Sequence, residues 1–158
     1  MSGETVAVLG AGSWGTALSD CLARNGHRTT LWAWEPEIAA AVTAERRNEA
    51  YLPGVELDPS IRATSEMEAA LEGAGIVVSV SPSHVVRDVM GSAAPALGPR
   101  PLIVSASKGL ELSTGLRMSQ VLAETVDPAV ARDCVVLSGP SFAAELARRL
   151  PTAVALAS

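Results

Sequence analysis

The sequence predicts an α/β fold built on a doubly wound parallel sheet, and three observations support this prediction. Short apolar runs alternate with stretches whose apolar residues recur at helical spacing along the 158 residues. Several apolar runs are uninterrupted by polar residues, which is typical of strands covered on both faces. The first run, residues 6–9, passes through a glycine-rich turn into a helical stretch. We therefore expect one domain over residues 1–158 with strand order 3-2-1-4-5-6 and a further C-terminal strand.

Turn and capping residues set the expected boundaries in the first half of the chain. Asn25-Gly26 is a typical helix stop, and Pro36 is favoured in the first turn of a helix. Ser65, with Glu68 three residues later, matches a capping box. Pro53-Gly54 indicates a loop. These signals predict strands over 6–9, 29–34 and 61–63, helices over 14–24, 36–47 and 65–71, and a loop over 48–60.

Proline-containing turns divide the second half in the same way. Ser81-Pro82-Ser83 and Asp127-Pro128 interrupt the periodic stretches, and Pro151 ends another. We predict strands over 75–80, 102–105, 134–137 and 153–157, and helices over 85–97, 116–125 and 142–150.

Composition and charge narrow the class of protein. Hydrophobic residues make up 48% and charged residues 18%, which indicates a globular chain. The net charge of −5 leaves no basic surplus for nucleic acid or a membrane surface, so we expect neither partner. The first residues do not resemble a targeting signal, and no apolar run approaches the ~18 residues of a membrane span. Cys21 and Cys134 have no motif spacing, so we expect reduced core thiols and a cytoplasmic location.

Gly10, Gly12 and Gly15 form a G-x-G-x-x-G pattern between a predicted strand and a predicted helix. This is the context that the dinucleotide-binding (Rossmann) pattern requires. Gly10 permits the tight turn, Gly12 lets a diphosphate approach the backbone, and Gly15 lets the helix pack against the strand. The helix start favours negative charge. A purely structural turn is the alternative, but the setting favours a nucleotide site.

Ligands of such sheets bind outside the carboxyl ends of the strands. Glu35 follows the second strand, twenty residues after Gly15, where an acid binds the ribose 2′-hydroxyl. Alternatively, its charge only favours the next helix start. Trp34 either covers an adenine ring or packs in the core. No Arg or Lys directly follows this strand to receive a 2′-phosphate, which favours NAD over NADP.

Three further residues at strand ends are candidates for substrate binding. Lys108, the only lysine, follows the fifth strand, where its ammonium can attract an anion or polarise a carbonyl oxygen, although a surface lysine is usually only solvated. Gly139 and Ser141 follow the sixth strand, where free N–H groups and a hydroxyl suit a phosphate. Ser141 is alternatively a helix N-cap.

The remaining patterns argue against metal and nucleophilic chemistry. His27 lies at the far end of the first helix and receives no role. His84 lies near the ligand edge with no acid or nucleophile close by in sequence. We find no Cys/His cluster for a metal and no Ser-His-Asp context for Ser141.

Six stretches together resemble the N-terminal, cofactor-binding half of the NAD(P)-dependent glycerol-3-phosphate dehydrogenases. They are VAVLGAGSWGTAL at 6–18, LWAWEPE at 31–37, NEAYLPG at 48–54, SVSPSHVVR at 79–87, SASKGLE at 105–111 and LSGPSFAAELA at 137–147. The resemblance covers essentially the whole chain, and the last two stretches are the most specific. It implies an oxidoreductase that interconverts dihydroxyacetone phosphate and sn-glycerol 3-phosphate with NAD or NADP, for glycerophospholipid synthesis.

The resemblance also implies roles for individual residues. Ser13 and Trp14 would contact the dinucleotide, and Lys108 would reach both cofactor and substrate. Gly139 and Ser141 would contact the substrate, and Ala143 the cofactor. A homodimer is implied for the full-length enzyme.

The chain departs from the family pattern in three respects. Bacterial members often carry His or Arg at the position of Trp34, whereas Trp34-Glu35 is similar to the eukaryotic cytosolic pattern, which supports NAD. Val80-Ser81-Pro82-Ser83 stands where Ala-Val-Pro-Ser is usual. Family members are much longer, and a C-terminal helical domain supplies their general-base lysine. We therefore expect this chain to lack that domain, to contain no catalytic residue and to be nearly inactive alone.

Two other functions fit parts of the pattern. A non-catalytic NAD(P)-binding sensor or regulatory module would keep the glycine turn without needing Lys108. A domain that binds S-adenosylmethionine is a poorer match, because the three-glycine pattern suits a diphosphate better than a sulfonium group.

Overall fold

The computed structural model describes residues 3–158. Within them the sheet has seven strands, which are β1 Thr5–Leu9, β2 Arg28–Trp32, β3 Arg62–Thr64, β4 Ile76–Ser79, β5 Leu102–Ser105, β6 Val135–Ser138 and β7 Ala155–Ala157. They lie in the order β3-β2-β1-β4-β5-β6-β7, and β1 to β6 are parallel. The predicted fold class and strand order are confirmed.

Helices cover both faces of this sheet. Their bounds are α1 Ser13–Arg24, α2 Pro36–Glu45, α3 Met67–Leu71, α4 Val86–Ala93, α5 Met118–Thr125, α6 Pro128–Ala131 and α7 Ala143–Ala147. In β1, Val6 and Val8 belong to the core under α1, α2 and α7, whereas Ala7 and Leu9 belong to the core under α3 to α6. The strands are therefore buried on both sides, as their uninterrupted apolar runs predict. Within residues 3–158, every helix is too short or too polar to cross a lipid bilayer.

The last strand corrects the prediction of a wholly parallel sheet. β7 runs antiparallel to β6, with Ser138 opposite Ala155 and Val136 opposite Ala157. The helix between these strands, α7, has five residues, which rise only about 7.5 Å. This rise does not return the chain to the amino edge of the sheet. β7 therefore begins at the carboxyl edge and runs in reverse.

The predicted capping box at Ser65 is wrong. α3 begins at Met67, and its N-cap is Glu66, which makes no side-chain capping bond. The side chain that bonds to the backbone before α3 is that of Thr64, one residue before Ser65. Its hydroxyl accepts a hydrogen bond from the Glu66 N–H at 3.0 Å.

Two boundaries in the second half also differ from prediction. Asp127-Pro128 follows the end of α5 but also starts α6, because the Asp127 carboxylate accepts from the Ala129 N–H at 2.8 Å. The helix predicted over 85–97 ends at Ala93 and continues as the 3₁₀ turn Ala94–Ala96. The proline inside this turn has no N–H to donate, so the α-helical pattern cannot continue.

Asn48 ties the loop that follows α2 to the glycine-rich turn. Its buried side-chain amide donates to the Ala11 carbonyl at 2.9 Å and to Thr16 Oγ1 at 2.8 Å. Its Oδ1 accepts from the Tyr51 N–H at 3.3 Å. Buried polar groups with all these partners hold a loop in one conformation.

An ion pair anchors the segment that carries Lys108. Arg87, in the first turn of α4, donates to both carboxylate oxygens of Glu111 at 2.8 and 2.9 Å and reaches Glu124 of α5 at 2.8 Å. The Thr114 hydroxyl donates to the same Glu111 carboxylate. The bonds from Arg87 and then Thr114 lower the pKa of Glu111 from 4.5 to about 2. The backbone three residues beyond Lys108 is thus held against two helices.

We expect Gly15→Ala to destabilise the fold. A Cβ at Gly15 would lie 1.9 Å from the Gly10 carbonyl oxygen, a backbone atom that cannot move without opening the turn. Overpacking of this size costs about 3 kcal/mol, which lowers Tm by roughly 6–12 °C. Gly12→Ala is the matched control, because a Cβ there meets no protein atom within 4 Å. Thermal unfolding followed by circular dichroism measures both; equal Tm values would contradict the packing argument.

We expect Glu111 to make stability depend on pH in the acid range. Because its folded pKa lies below its unfolded pKa, its contribution is complete above about pH 4.5 and is lost as the pH falls towards about 2. Glu111→Gln should therefore lower the urea midpoint clearly at about pH 6 and much less at about pH 3. A difference between the two proteins that stays constant with pH would show that the ion pair does not form.

Candidate cofactor-binding cleft

A cleft of about 990 Å³ lies at the carboxyl ends of the strands, where the segments after β1, β2, β4, β5 and β6 meet. All three tryptophans line it. So do nine of the eleven predicted site residues, which are Gly10, Gly12, Ser13, Trp14, Trp34, Glu35, Lys108, Ser141 and Ala143. The other two, Gly15 and Gly139, do not line the cleft. The strand ends therefore bring together the residues that the sequence separates.

The glycine-rich turn forms the floor of the cleft. Gly10 has φ +130°, and its N–H donates to the Trp32 carbonyl at 3.1 Å. Gly12 has an ordinary φ of −68° and precedes α1, with open space where a Cβ would stand. The first N–H groups of a helix have no intrahelical acceptor, so this space suits an anion. Gly15 packs against the Gly10 carbonyl and supports the turn from below.

Trp34 and Glu35 form one wall of the cleft. Trp34 is 77% exposed, so it is not a core residue, and its ring meets Trp32 edge to face at 6.2 Å. Glu35 is the N-cap of α2 but makes no side-chain capping bond. Its Oε1 accepts instead from the Tyr51 phenol at 2.7 Å, and this bond raises the pKa of Tyr51. The carboxylate is therefore held by a residue from the loop and faces the cleft.

Lys108 lies on the opposite side of the cleft and donates from Nζ to the Gly139 carbonyl at 3.1 Å. Gly139 has φ +141°, and a Cβ there would lie 2.7 Å from the Ala153 carbonyl oxygen. The sequence predicts free N–H groups here, but the Ser141 N–H donates to the Gly139 carbonyl at 3.0 Å. The N-cap alternative is also wrong, because Phe142 occupies that position. What Ser141 offers to the cleft is its hydroxyl.

Sequence reasoning missed the residues that hold the site in place. Tyr51 lines the cleft, and its carbonyl accepts from the Ser13 hydroxyl. Asn48 and Arg87 do not line the cleft, but their hydrogen bonds hold the glycine-rich turn and the segment of Lys108 in position. Tyr51 and Asn48 both lie in the NEAYLPG stretch, which was the signal available in the sequence.

Only one of the two histidines lies at the cleft. His84 lines the cleft next to α4, whereas His27 lies at the amino edge of the sheet, where its Nδ1 accepts from the Glu4 N–H at 3.2 Å. Across residues 3–158, no group of three or more His, Cys, Asp or Glu side chains is placed to hold a metal ion.

The residues present fit a dinucleotide. The floor offers helix N–H groups beneath open space at Gly12, and one wall offers a carboxylate beside an exposed indole. Within the described residues, Trp14 Nε1 and Ser141 Oγ are buried without a hydrogen-bond partner. Such orphaned polar atoms at a cleft are satisfied when a polar ligand enters.

Comparisons with known proteins agree with this geometry. The profile of the NAD-dependent glycerol-3-phosphate dehydrogenase N-terminus matches residues 5–158. A glycerol-3-phosphate dehydrogenase [NAD(P)+] of Geobacter metallireducens is 49% identical over 156 residues, which is 99% of this chain and 47% of that protein. The chain thus spans about half the length of the curated relatives it matches.

Solved structures give the same result. The glycerol-3-phosphate dehydrogenase of Coxiella burnetii superposes with a TM-score of 0.88 at 34% identity, covering 99% of this chain and 47% of that one. The enzyme of Saccharomyces cerevisiae shares the fold, with a TM-score of 0.84 at 22% identity over 98% of this chain and 47% of that one. By this match over almost its entire length, the chain belongs to the NAD-dependent glycerol-3-phosphate dehydrogenase family, to whose N-terminal part it corresponds.

Proposed function

We propose that residues 1–158 bind NAD in preference to NADP, as the cofactor-binding domain of an enzyme that interconverts dihydroxyacetone phosphate and sn-glycerol 3-phosphate. The observation that carries the proposal is the meeting of the glycine-rich turn, Glu35 and Lys108 in one cleft. The names of the relatives above support both the reaction and the cofactors. The product would serve glycerophospholipid synthesis.

The proposed cofactor site follows the chemistry of the cleft from floor to wall. The N–H groups at the start of α1, next to Ser13 and Trp14, would donate hydrogen bonds to the diphosphate over Gly12. Glu35 accepts from a ribose hydroxyl, and the exposed Trp34 indole covers the adenine. Ala143, the first residue of α7, contacts the cofactor across the cleft.

The proposed substrate site lies between Lys108 and the loop after β6. When bound, the nicotinamide supplies the hydride acceptor or donor. The Lys108 ammonium attracts the anionic substrate and polarises its carbonyl oxygen, and its bond to the Gly139 carbonyl holds it next to the loop that carries Ser141. The Ser141 hydroxyl, which has no partner in residues 3–158, then donates to or accepts from the substrate. We assign no proton-transfer role within this chain.

We also propose that the protein acts in the cytoplasm on a small phosphate-bearing molecule. Cys21 and Cys134 are both unpaired, as is usual in a reducing compartment. Both thiols are partly buried rather than fully buried core residues, and Cys134 packs against the core under α3 to α6. A homodimer of the full-length enzyme and the absence of nucleic-acid or membrane partners remain predictions.

Titration of the chain with NADH and then NADPH, followed by tryptophan fluorescence, tests the cofactor site. Because all three tryptophans line the cleft, we expect quenching and a lower Kd for NADH. Gly12→Ala should raise the Kd of both cofactors about tenfold or more, because its methyl group occupies the approach of the diphosphate. Its Tm should stay near that of the wild type. If Gly12→Ala binds both cofactors with unchanged Kd, the proposal that the diphosphate binds over Gly12 is wrong.

Lys108→Ala in the full-length protein separates an enzyme from a sensor. Loss of one preorganised charge at a reacting oxygen lowers kcat by about 10²–10³. We expect this loss of dihydroxyacetone phosphate reduction in a steady-state assay, with the Kd of NADH changed less than about threefold. Lys108→Arg, which keeps the charge, is the control. Turnover unaffected by Lys108→Ala would overturn the proposed role and favour the sensor or regulatory module.

A further inference from the structure

Tyr51 is the only tyrosine of the chain and belongs to neither the glycine-rich turn nor a strand end. Its backbone is held from two sides. The Asn48 side chain accepts from its N–H at 3.3 Å, and its carbonyl accepts from the Ser13 hydroxyl. Next to it, Leu52 is 4% exposed and donates its N–H to the Asn48 carbonyl at 2.8 Å. These hydrogen bonds and the buried Leu52 therefore fix the backbone at Tyr51, although Tyr51 itself is 40% exposed.

The phenol of Tyr51 holds one oxygen of Glu35. The phenol donates to Glu35 Oε1 at 2.7 Å, since an ionised carboxylate can only accept. In the part of the chain that the structure describes, no other side chain bonds to this carboxylate. Glu37, the next acid on α2, also acts on the phenol through its charge. Glu35 Oε2 remains available to a ligand in the cleft.

We infer that Tyr51 is a positioning residue for cofactor selectivity, because it fixes the Glu35 carboxylate where it favours the ribose of NAD and opposes the 2′-phosphate of NADP. This inference rests on the proposed function. A 2′-hydroxyl can donate to the free carboxylate oxygen, whereas a 2′-phosphate brings like charge to the same place. A carboxylate without the phenol can rotate away from the cleft. Both the attraction and the repulsion then weaken.

The Ser13–Tyr51–Glu35 connection joins two parts of the cofactor site. Ser13 begins α1 at the glycine-rich turn, and Glu35 precedes α2. Tyr51 bonds to the first through its carbonyl and to the second through its phenol. The loop that carries Tyr51 thus sets the distance between the place of the diphosphate and that of the ribose.

Tyr51→Phe, Glu35→Gln and the double variant test this inference in the chain by tryptophan-fluorescence titration. The ratio of the NADPH Kd to the NADH Kd should fall roughly two- to tenfold in Tyr51→Phe, the factor expected for one hydrogen bond. Phenylalanine keeps the ring, so a ring that only stacks on the ligand would leave the ratio unchanged. In the Glu35→Gln background, Tyr51→Phe should change the ratio no further. An equal effect in both backgrounds would overturn the inference.

A second measurement needs no cofactor. Because Tyr51 is the only tyrosine, phenolate absorbance reports this residue alone. Its pKa is raised mainly by the hydrogen bond to Glu35, so Glu35→Gln should lower it. An unchanged titration would show that the bond does not form in solution and would overturn the inference.

The outcomes separate the inference from the proposed function. If the wild-type chain binds neither cofactor, the proposed function fails and the inference fails with it. If the chain binds NADH and the ratio does not move in Tyr51→Phe, only the inference fails. A Tm of Tyr51→Phe near that of the wild type confirms that the variant is folded.

Discussion

The contact between Gly15 and the Gly10 carbonyl is the constraint on which the rest of the structure depends. It places the start of α1 directly on the turn after β1, an interior strand of the described sheet. A side chain at Gly15 would meet the Gly10 carbonyl and force the helix away from the turn. The close approach of Gly15 to the Gly10 carbonyl therefore supports both the packing of α1 and the position of the N–H groups that suit an anion.

A few buried polar side chains hold the loops around this centre. Asn48 fixes the loop after α2 to the turn, and Glu111 fixes the segment of Lys108 to Arg87 of α4, which also bonds to Glu124 of α5. In α1, the buried Asp20 carboxylate accepts from Arg24 and from the Asp58 N–H at 2.7 Å each. Except for the Asp20–Arg24 pair, which lies within α1, each of these contacts joins segments that are far apart in the sequence. The loops can therefore carry binding residues and still keep one conformation.

Most of the fold and most of the residues that line the cleft could be predicted from the sequence, but contacts that depend on tertiary structure could not. The periodicity of the apolar residues and the spacing of the glycines were enough to predict the strand order. Lys108 and Glu35 were identified because ligands of such sheets bind at the carboxyl ends of the strands. The direction of β7 was missed because it depends on the length of α7, which no apolar pattern defines. Tyr51 was missed because its role comes from a tertiary bond to Glu35 in a loop without periodicity. The Ser141 N–H was misjudged because its acceptor is a local carbonyl of the same turn.

The position of Lys108 has a chemical consequence. Its Nζ is exposed at the cleft, and it is the one side-chain primary amine that the chain contains. Reagents that acylate or reductively alkylate amines therefore have one side-chain target besides the α-amine of the chain, and that side chain lies within the cleft. Such a reagent labels the cleft without any engineered handle. A molecule that fills the cleft would shield the Lys108 amine, so the extent of labelling at Lys108 measures occupancy.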